Sequence, residues 1–125
     1  MKLITLYRPV GQKELELVKG SGFRRFPPRL EWQPVFYPVM NKEYAEQIAV
    51  QWNTGDEFSG YVGHVLSFDL PEEFIQKYPV QNVGGEIHNE LWVPAGELEE
   101  FNNNIVGLIR VTASFFGKNY KNNEQ

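Results

Sequence analysis

The sequence predicts a single α+β domain over residues 1–117, with a mixed or split β-sheet and short helices, followed by a polar tail at 118–125. Two observations carry this. Short apolar runs of strand length alternate with short amphipathic segments in the order strand, helix, strand, helix, strand, helix, strand, strand, helix, strand. The crossovers between them are too short and irregular for a doubly wound sheet. A third is length: 125 residues suit one domain with one sizeable core.

Leu3–Arg8 alternates with period two and reads as the first strand. Lys13–Lys19 reads as a short helix that stops at Gly20. In "GFRRFPPRLEWQP", Pro27, Pro28 and Pro34 leave no room for a regular ladder, so it is a loop. "VFYPV" is a short strand at an edge or strand end, because Pro38 cannot donate. Asn41 caps the clearest helix, along which Tyr44, Ala45, Ile48, Ala49 and Trp52 recur as one apolar stripe. Tyr61–Asp69 is a strand with Val62, His64, Leu66 and Phe68 on one face. Pro71 opens a short helix to Tyr78. "PVQNVGG" is a strand and turn, and Glu86–Val93 a further strand. Pro94–Asn104 is a helix with Leu98, Phe101 and Ile105 on one side. In the last strand, Leu108–Phe116, Ile109, Val111, Ala113 and Phe115 share a face.

Composition narrows the function. Net charge is −4 and the isoelectric point is about 5.2, so nucleic acid is an unlikely partner and a basic protein a suitable one. There is no cysteine, which excludes disulfides, zinc–thiolate sites and a catalytic thiol. With only two histidines, a multi-histidine metal site is not expected. The opening "MKLITLYRPV" lacks the apolar length of a signal peptide, and no run approaches the roughly 20 apolar residues of a membrane span. The expectation is a cytoplasmic protein without a membrane partner.

Four places stand out. In "GGEIHNELWVP", strand periodicity puts Glu86, His88, Glu90 and Trp92 on one face. That face is either solvated or lines a cleft. An indole is costly to leave in water, and Gly84–Gly85 permits close backbone approach by another group. In the first strand Arg8 closes the apolar row of Ile4 and Leu6. It is either a snorkelling arginine at a strand end or an anion anchor whose guanidinium grips phosphate bidentately. Tyr37 is either a core ring or a stacking platform on a ligand cleft. Arg24, Arg25 and Arg29 form either a solvated, proline-stiffened loop or a local anion site.

Taken together, "LYRPV", "VFYPVMNKEYAEQIAVQW" and "HNELWVPAGELEEFNNNIVGLIRV" resemble the ADP-ribosyltransferase fold. In that family an early strand carries Arg, a second strand ends in aromatic or hydroxyl residues before a helix, and a late strand carries Glu before a "VP" or "IP" pair. The chain also resembles a group of small uncharacterised bacterial proteins loosely labelled ADP-ribosylation-related, through "LYRPVG-x-KEL", "FPPRL", "QP-x-FYPV" and "YPVQ-x-VGG". It departs from the transferase pattern at Pro9, where Gly often follows the arginine, and at Pro38-Val39-Met40, where a Ser–Thr–Ser run is absent.

The resemblance implies NAD as substrate. It implies that Arg8 holds the NAD phosphate or ribose, that Tyr37 stacks on nicotinamide beside Trp92, and that Glu90 stabilises the charge developing as nicotinamide leaves. His88 would help choose the acceptor. The expected function is thus NAD binding with transfer or hydrolysis of ADP-ribose. The alternative is a non-enzymatic immunity or interaction protein that neutralises a basic partner such as a toxin. The two separate on geometry: the first requires Arg8, Tyr37 and Glu90 to meet in one cleft.

Overall fold

The computed structural model describes residues 1–121. Its strands are β1 (Leu3–Val10), β2 (Val35–Phe36), β3 (Val62–Pro71), β4 (Val80–Asn82), β5 (Asn89–Leu91), β6 (Val93–Pro94) and β7 (Val106–Phe116). Its helices are α1 (Gln12–Gly20), α2 (Lys42–Gln51), α3 (Glu72–Ile75) and α4 (Leu98–Asn103). The α+β expectation holds. The mixed sheet gives way to a wholly antiparallel one: every strand pairing among the described residues is antiparallel.

The sheet is built in pieces. β3 lies between β1 and β7. Tyr7 of β1 exchanges two backbone hydrogen bonds with Val39, at 3.0 and 2.8 Å. Val39 is bridged in turn to Glu90 of β5, which pairs with β4. Before Val39 the chain leaves β1: Val35 and Phe36 pair with Pro94 and Val93 instead. Arg8, Pro9 and Val10 therefore have β3 on one side and a gap on the other. The sheet forks there.

Helices cover both faces. One face carries Leu6, Val10, Leu66, Phe68, Leu70 and Ile109 and packs on Val18 of α1, Phe101 of α4, Phe26 and Phe36. The other carries Val39 and Val65 and packs on Ala45 and Ala49 of α2. Burial on both sides explains why β3 is buried almost throughout. A side chain at Gly63 would put its Cβ 2.7 Å from Ala49 Cβ, so glycine here lets α2 lie flat on the strand. Asn41 caps α2 as the sequence predicts, its Oδ1 accepting from the Tyr44 backbone N–H at 2.8 Å.

Three expectations change. Trp52 does not complete the apolar stripe of α2; it sits past the end of the helix and is 65% exposed. The face Ile109–Val111–Ala113–Phe115 is not continuous. β7 slips register opposite Val65 and Leu66, and the extra residue turns Ala113 and Phe115 towards α2 while Ile109 stays in the main core. The strand at Glu86–Val93 shortens to β5 and β6, with Glu86 and Ile87 in a turn. Of the polar tail, 122–125 lies outside the described residues, and Tyr120 stacks on Phe116 at 4.7 Å.

His64 sits beneath the β3–β7 pairing, its Nδ1 2.7 Å from Ser114 Oγ and its Nε2 2.8 Å from Gln12 Oε1. Gln12 Oε1 can only accept, so Nε2 carries the proton and Nδ1 accepts from the hydroxyl. Burial lowers the His64 pKa below its ordinary 6.5. The unfolded chain therefore takes up this proton first as pH falls, and the His64 contribution, intact above about 6.5, is lost below it. Asp69 acts separately: its bond to Arg110 lowers its pKa below 3.8, so its contribution fades only in strong acid. The melting temperature is expected to fall between pH 7 and pH 5, and His64→Gln to flatten that slope. Thermal unfolding across pH for the two proteins checks this.

Candidate functional site

The fork in the sheet opens into a cleft of about 560 Å³. Its floor is the unpaired side of Arg8–Gly11. One wall is α1 with the Pro27–Gln33 loop and Tyr37; the other is Ile48, Trp52 and the Asn53–Ser59 turns. Arg8, Tyr37 and Glu90, picked from three distant parts of the sequence, all line it. The reason is the double bridge Tyr7–Val39–Glu90, which places the three segments side by side.

Glu90 is held from two sides. Trp92 Nε1–H donates to its Oε1 at 2.7 Å, and Tyr44 O–H donates to its Oε2 at 2.9 Å. The carboxylate is only 9% exposed, yet each oxygen has a donor and a fixed direction. Burial and the bond to Glu90 push the Tyr44 pKa up to about 12, so this hydroxyl stays a donor at any working pH. Trp92 does not line the cleft. It stands behind Glu90 and meets the Tyr37 ring edge-on at 6.4 Å, so its part is to orient the carboxylate and the platform.

His88 is apart from these residues. The turn before β5 swings its ring onto Tyr44, at 4.8 Å between ring centroids. The Gly85 N–H donates to Nδ1 at 2.9 Å, so the neutral ring carries its proton on Nε2, which donates to Gln47 Oε1 at 2.7 Å. A Cβ on Gly84 or Gly85 would come within 3.1 to 3.2 Å of this ring. The close approach that the two glycines allow is thus made by the chain's own histidine. His88 closes a loop and buttresses Tyr44; it does not face the cleft.

Arg8 is not free. Its Nε and Nη2 donate to the two oxygens of Glu14 at 2.6 and 3.0 Å, and its Cζ lies 4.6 Å from the centre of the Phe36 ring. Nη1 alone has no protein partner among the described residues. The ion pair is well shielded, with side-chain exposures of 11% and 22%. Glu14 sits six residues beyond Arg8 inside "LYRPVGQKEL", close enough in sequence to have been suspected as its partner.

The other wall adds residues the sequence did not single out. Phe58 is 93% exposed and projects beside Trp52. Asn53 is buried; its Nδ2 donates to Ser59 Oγ at 2.9 Å, and Ser59 donates on to Asp56 Oδ2 at 2.7 Å. Asn53 Oδ1 is the one buried side-chain polar atom without a hydrogen-bond partner among the described residues. No group of three potential metal ligands is present among those residues, and no helix there is long and apolar enough to cross a membrane.

Compared with known proteins, the chain matches no family model, no curated protein and no solved structure. Its function has to be read from the cleft itself.

Removing one member of a shielded ion pair strands the other charge, which costs about 3–5 kcal/mol when the pair is fully buried. With both partners slightly exposed, Glu14→Ala is expected to lower stability by about 3 kcal/mol, and Glu14→Gln by less because it keeps one acceptor for Arg8. Urea unfolding of the two variants measures the difference.

Proposed function

We propose that the cleft binds NAD or a closely related nucleotide, and that the domain is an ADP-ribosyltransferase-like fold that transfers or hydrolyses ADP-ribose. The observation that carries this reading is the meeting of Arg8, Tyr37 and Glu90 in one forked cleft. The cleft volume also falls within the roughly 300–1,000 Å³ usual for small-ligand sites.

The residues suit the chemistry. Tyr37, 40% exposed at the cleft, offers a face for the nicotinamide ring. Glu90 is fixed by Tyr44 and Trp92 so that its negative charge sits beside the ribose carbon where positive charge develops. The bond between that carbon and the ring nitrogen breaks, and its electron pair neutralises the pyridinium as nicotinamide leaves. Water or an acceptor hydroxyl or amine then bonds to the same carbon and gives its proton to solvent. Arg8 offers Nη1 to the ribose while Glu14 holds its other donors. Trp52 and Phe58 supply apolar faces at the far wall for the second base. Tyr44 and Trp52 are eight positions apart on and just beyond α2, a separation of roughly 12 Å along the axis, enough to set a base away from the reacting bond.

A second reading rests on the rim. Leu17, Leu30, Trp52 and Phe58 are all more than half exposed around the cleft. Such a rim on an acidic protein suits capture of a basic protein partner, as an immunity protein would capture a toxin. The cleft and the doubly anchored carboxylate favour the nucleotide reading, since a capture surface needs neither.

The test is nicotinamide release from NAD in a lysate that supplies acceptors. The wild type is expected to release nicotinamide. Glu90→Ala is expected to lower the rate by about 10²-fold or more, with its circular dichroism unchanged. No release from the wild type would remove the NAD chemistry and leave the capture reading.

A further inference from the structure

Arg29 is a half-buried guanidinium without an ion-pair partner among the described residues. Its Nε donates to the Val35 backbone carbonyl at 3.0 Å, which orients the guanidinium while leaving both terminal nitrogens without a partner among the described residues. No carboxylate there forms an ion pair with it. The acids that line the cleft have other partners: both oxygens of Glu14 bond to Arg8, both oxygens of Glu90 to Tyr44 and Trp92, and Asp56 accepts from Ser59. Arg29 nonetheless lines the cleft and is half-buried.

Its mounting is rigid. Phe26, just upstream, is buried against Phe36 and Phe68, with ring centroids 5.1 and 4.8 Å away. Its backbone N–H and carbonyl are both bonded to the side-chain amide of Asn102, at 2.9 and 3.0 Å. Pro27 and Pro28 then fix the direction of the chain into Arg29. Its neighbours in the loop are used differently: Arg25 donates to Asn103 Oδ1 at 2.7 Å, and Arg24 is exposed. Burial, followed by the charge of Arg8, lowers the Arg29 pKa from its ordinary value. A half-desolvated guanidinium without a counter-ion gains from a bound anion.

We propose that Arg29 is the principal anion receptor of the cleft and binds the pyrophosphate of the ligand, while Arg8, neutralised by Glu14, mainly holds β1 and α1 together. This rests on the nucleotide reading for the identity of the ligand, but not for the presence of an anion site. Two terminal N–H groups in a fixed plane match two phosphate oxygens.

The experiment is calorimetric titration of the full chain with ADP-ribose, inorganic pyrophosphate and adenosine, using the wild type, Arg29→Gln, Arg29→Lys and, as a surface control, Arg24→Gln. The expected result is at least a tenfold loss of affinity for ADP-ribose and for pyrophosphate in Arg29→Gln, a smaller loss in Arg29→Lys, and none in Arg24→Gln. Adenosine binding should not respond to Arg29. Added salt should weaken pyrophosphate binding to the wild type and have little effect on Arg29→Gln. Thermal unfolding of Arg29→Gln near that of the wild type shows that the fold has survived, and Arg29→Lys serves as the test if it has not. Equal binding of ADP-ribose by wild type and Arg29→Gln would overturn the assignment and leave the nucleotide reading standing. Arg29-dependent binding of pyrophosphate without binding of ADP-ribose would support the anion site and sink the nucleotide reading. Binding of neither by the wild type would overturn both.

Discussion

The pair of bridges Tyr7–Val39–Glu90 is the constraint on which the rest of the structure depends. One residue, Val39, joins β1 to β5 through its own backbone, while the segment just before it turns away to pair with β6. A full strand at this place would have closed the sheet and left no cleft. Pro38 is what keeps it short: without an N–H it cannot continue a ladder, yet its carbonyl still accepts from Leu91 at 2.9 Å. The split sheet and the opening above Arg8 follow from that one interrupted pairing.

The cleft that results has an uneven division of charge. Its carboxylates have internal partners, Glu14 in Arg8, Glu90 in an indole and a phenol, and Asp56 in the Ser59 hydroxyl, while one guanidinium is left over. A protein with net charge −4 has acids to spare, so an unpaired, half-buried arginine is not explained by a shortage of partners. The geometry keeps them away. The same is true on the far wall, where Asn53 Oδ1 stays without a donor although hydroxyls lie nearby. Both features are unfavourable, and an anion bound in the cleft would relieve the first.

Much of this was legible in the sequence, and the parts that were not have identifiable reasons. Period-two and helical patterns place β1 and α2, which each bury one face, and the apolar run of β3, which is buried on both; in β7 they place the strand but not its faces. Arg8, Tyr37 and Glu90 stand out because each breaks the pattern of its element. His88 misleads for a geometric reason: the alternation that pairs it with Glu90 holds only in a strand, and the turn at Glu86–Ile87 ends the strand before it. The slip in β7 is invisible because a bulge leaves composition unchanged while reversing the faces beyond it. The role of Glu14 needs the return of α1 over β1, a tertiary fact. Phe58 carries no periodic signal, since it sits in the short turn Glu57–Ser59, and Trp52 keeps the helical spacing of α2 but falls just past its end, where it faces the cleft instead of the core.

The central claim is that the fork is a nucleotide site, and the most direct measurement is a backbone-amide NMR titration with ADP-ribose. The account predicts shifts confined to Arg8–Glu14, the loop around Arg29, Tyr37, the Trp52–Ser59 turns and Glu90, saturating together as one site. Shifts that fall outside this cleft, or no shifts at millimolar ligand, would contradict it.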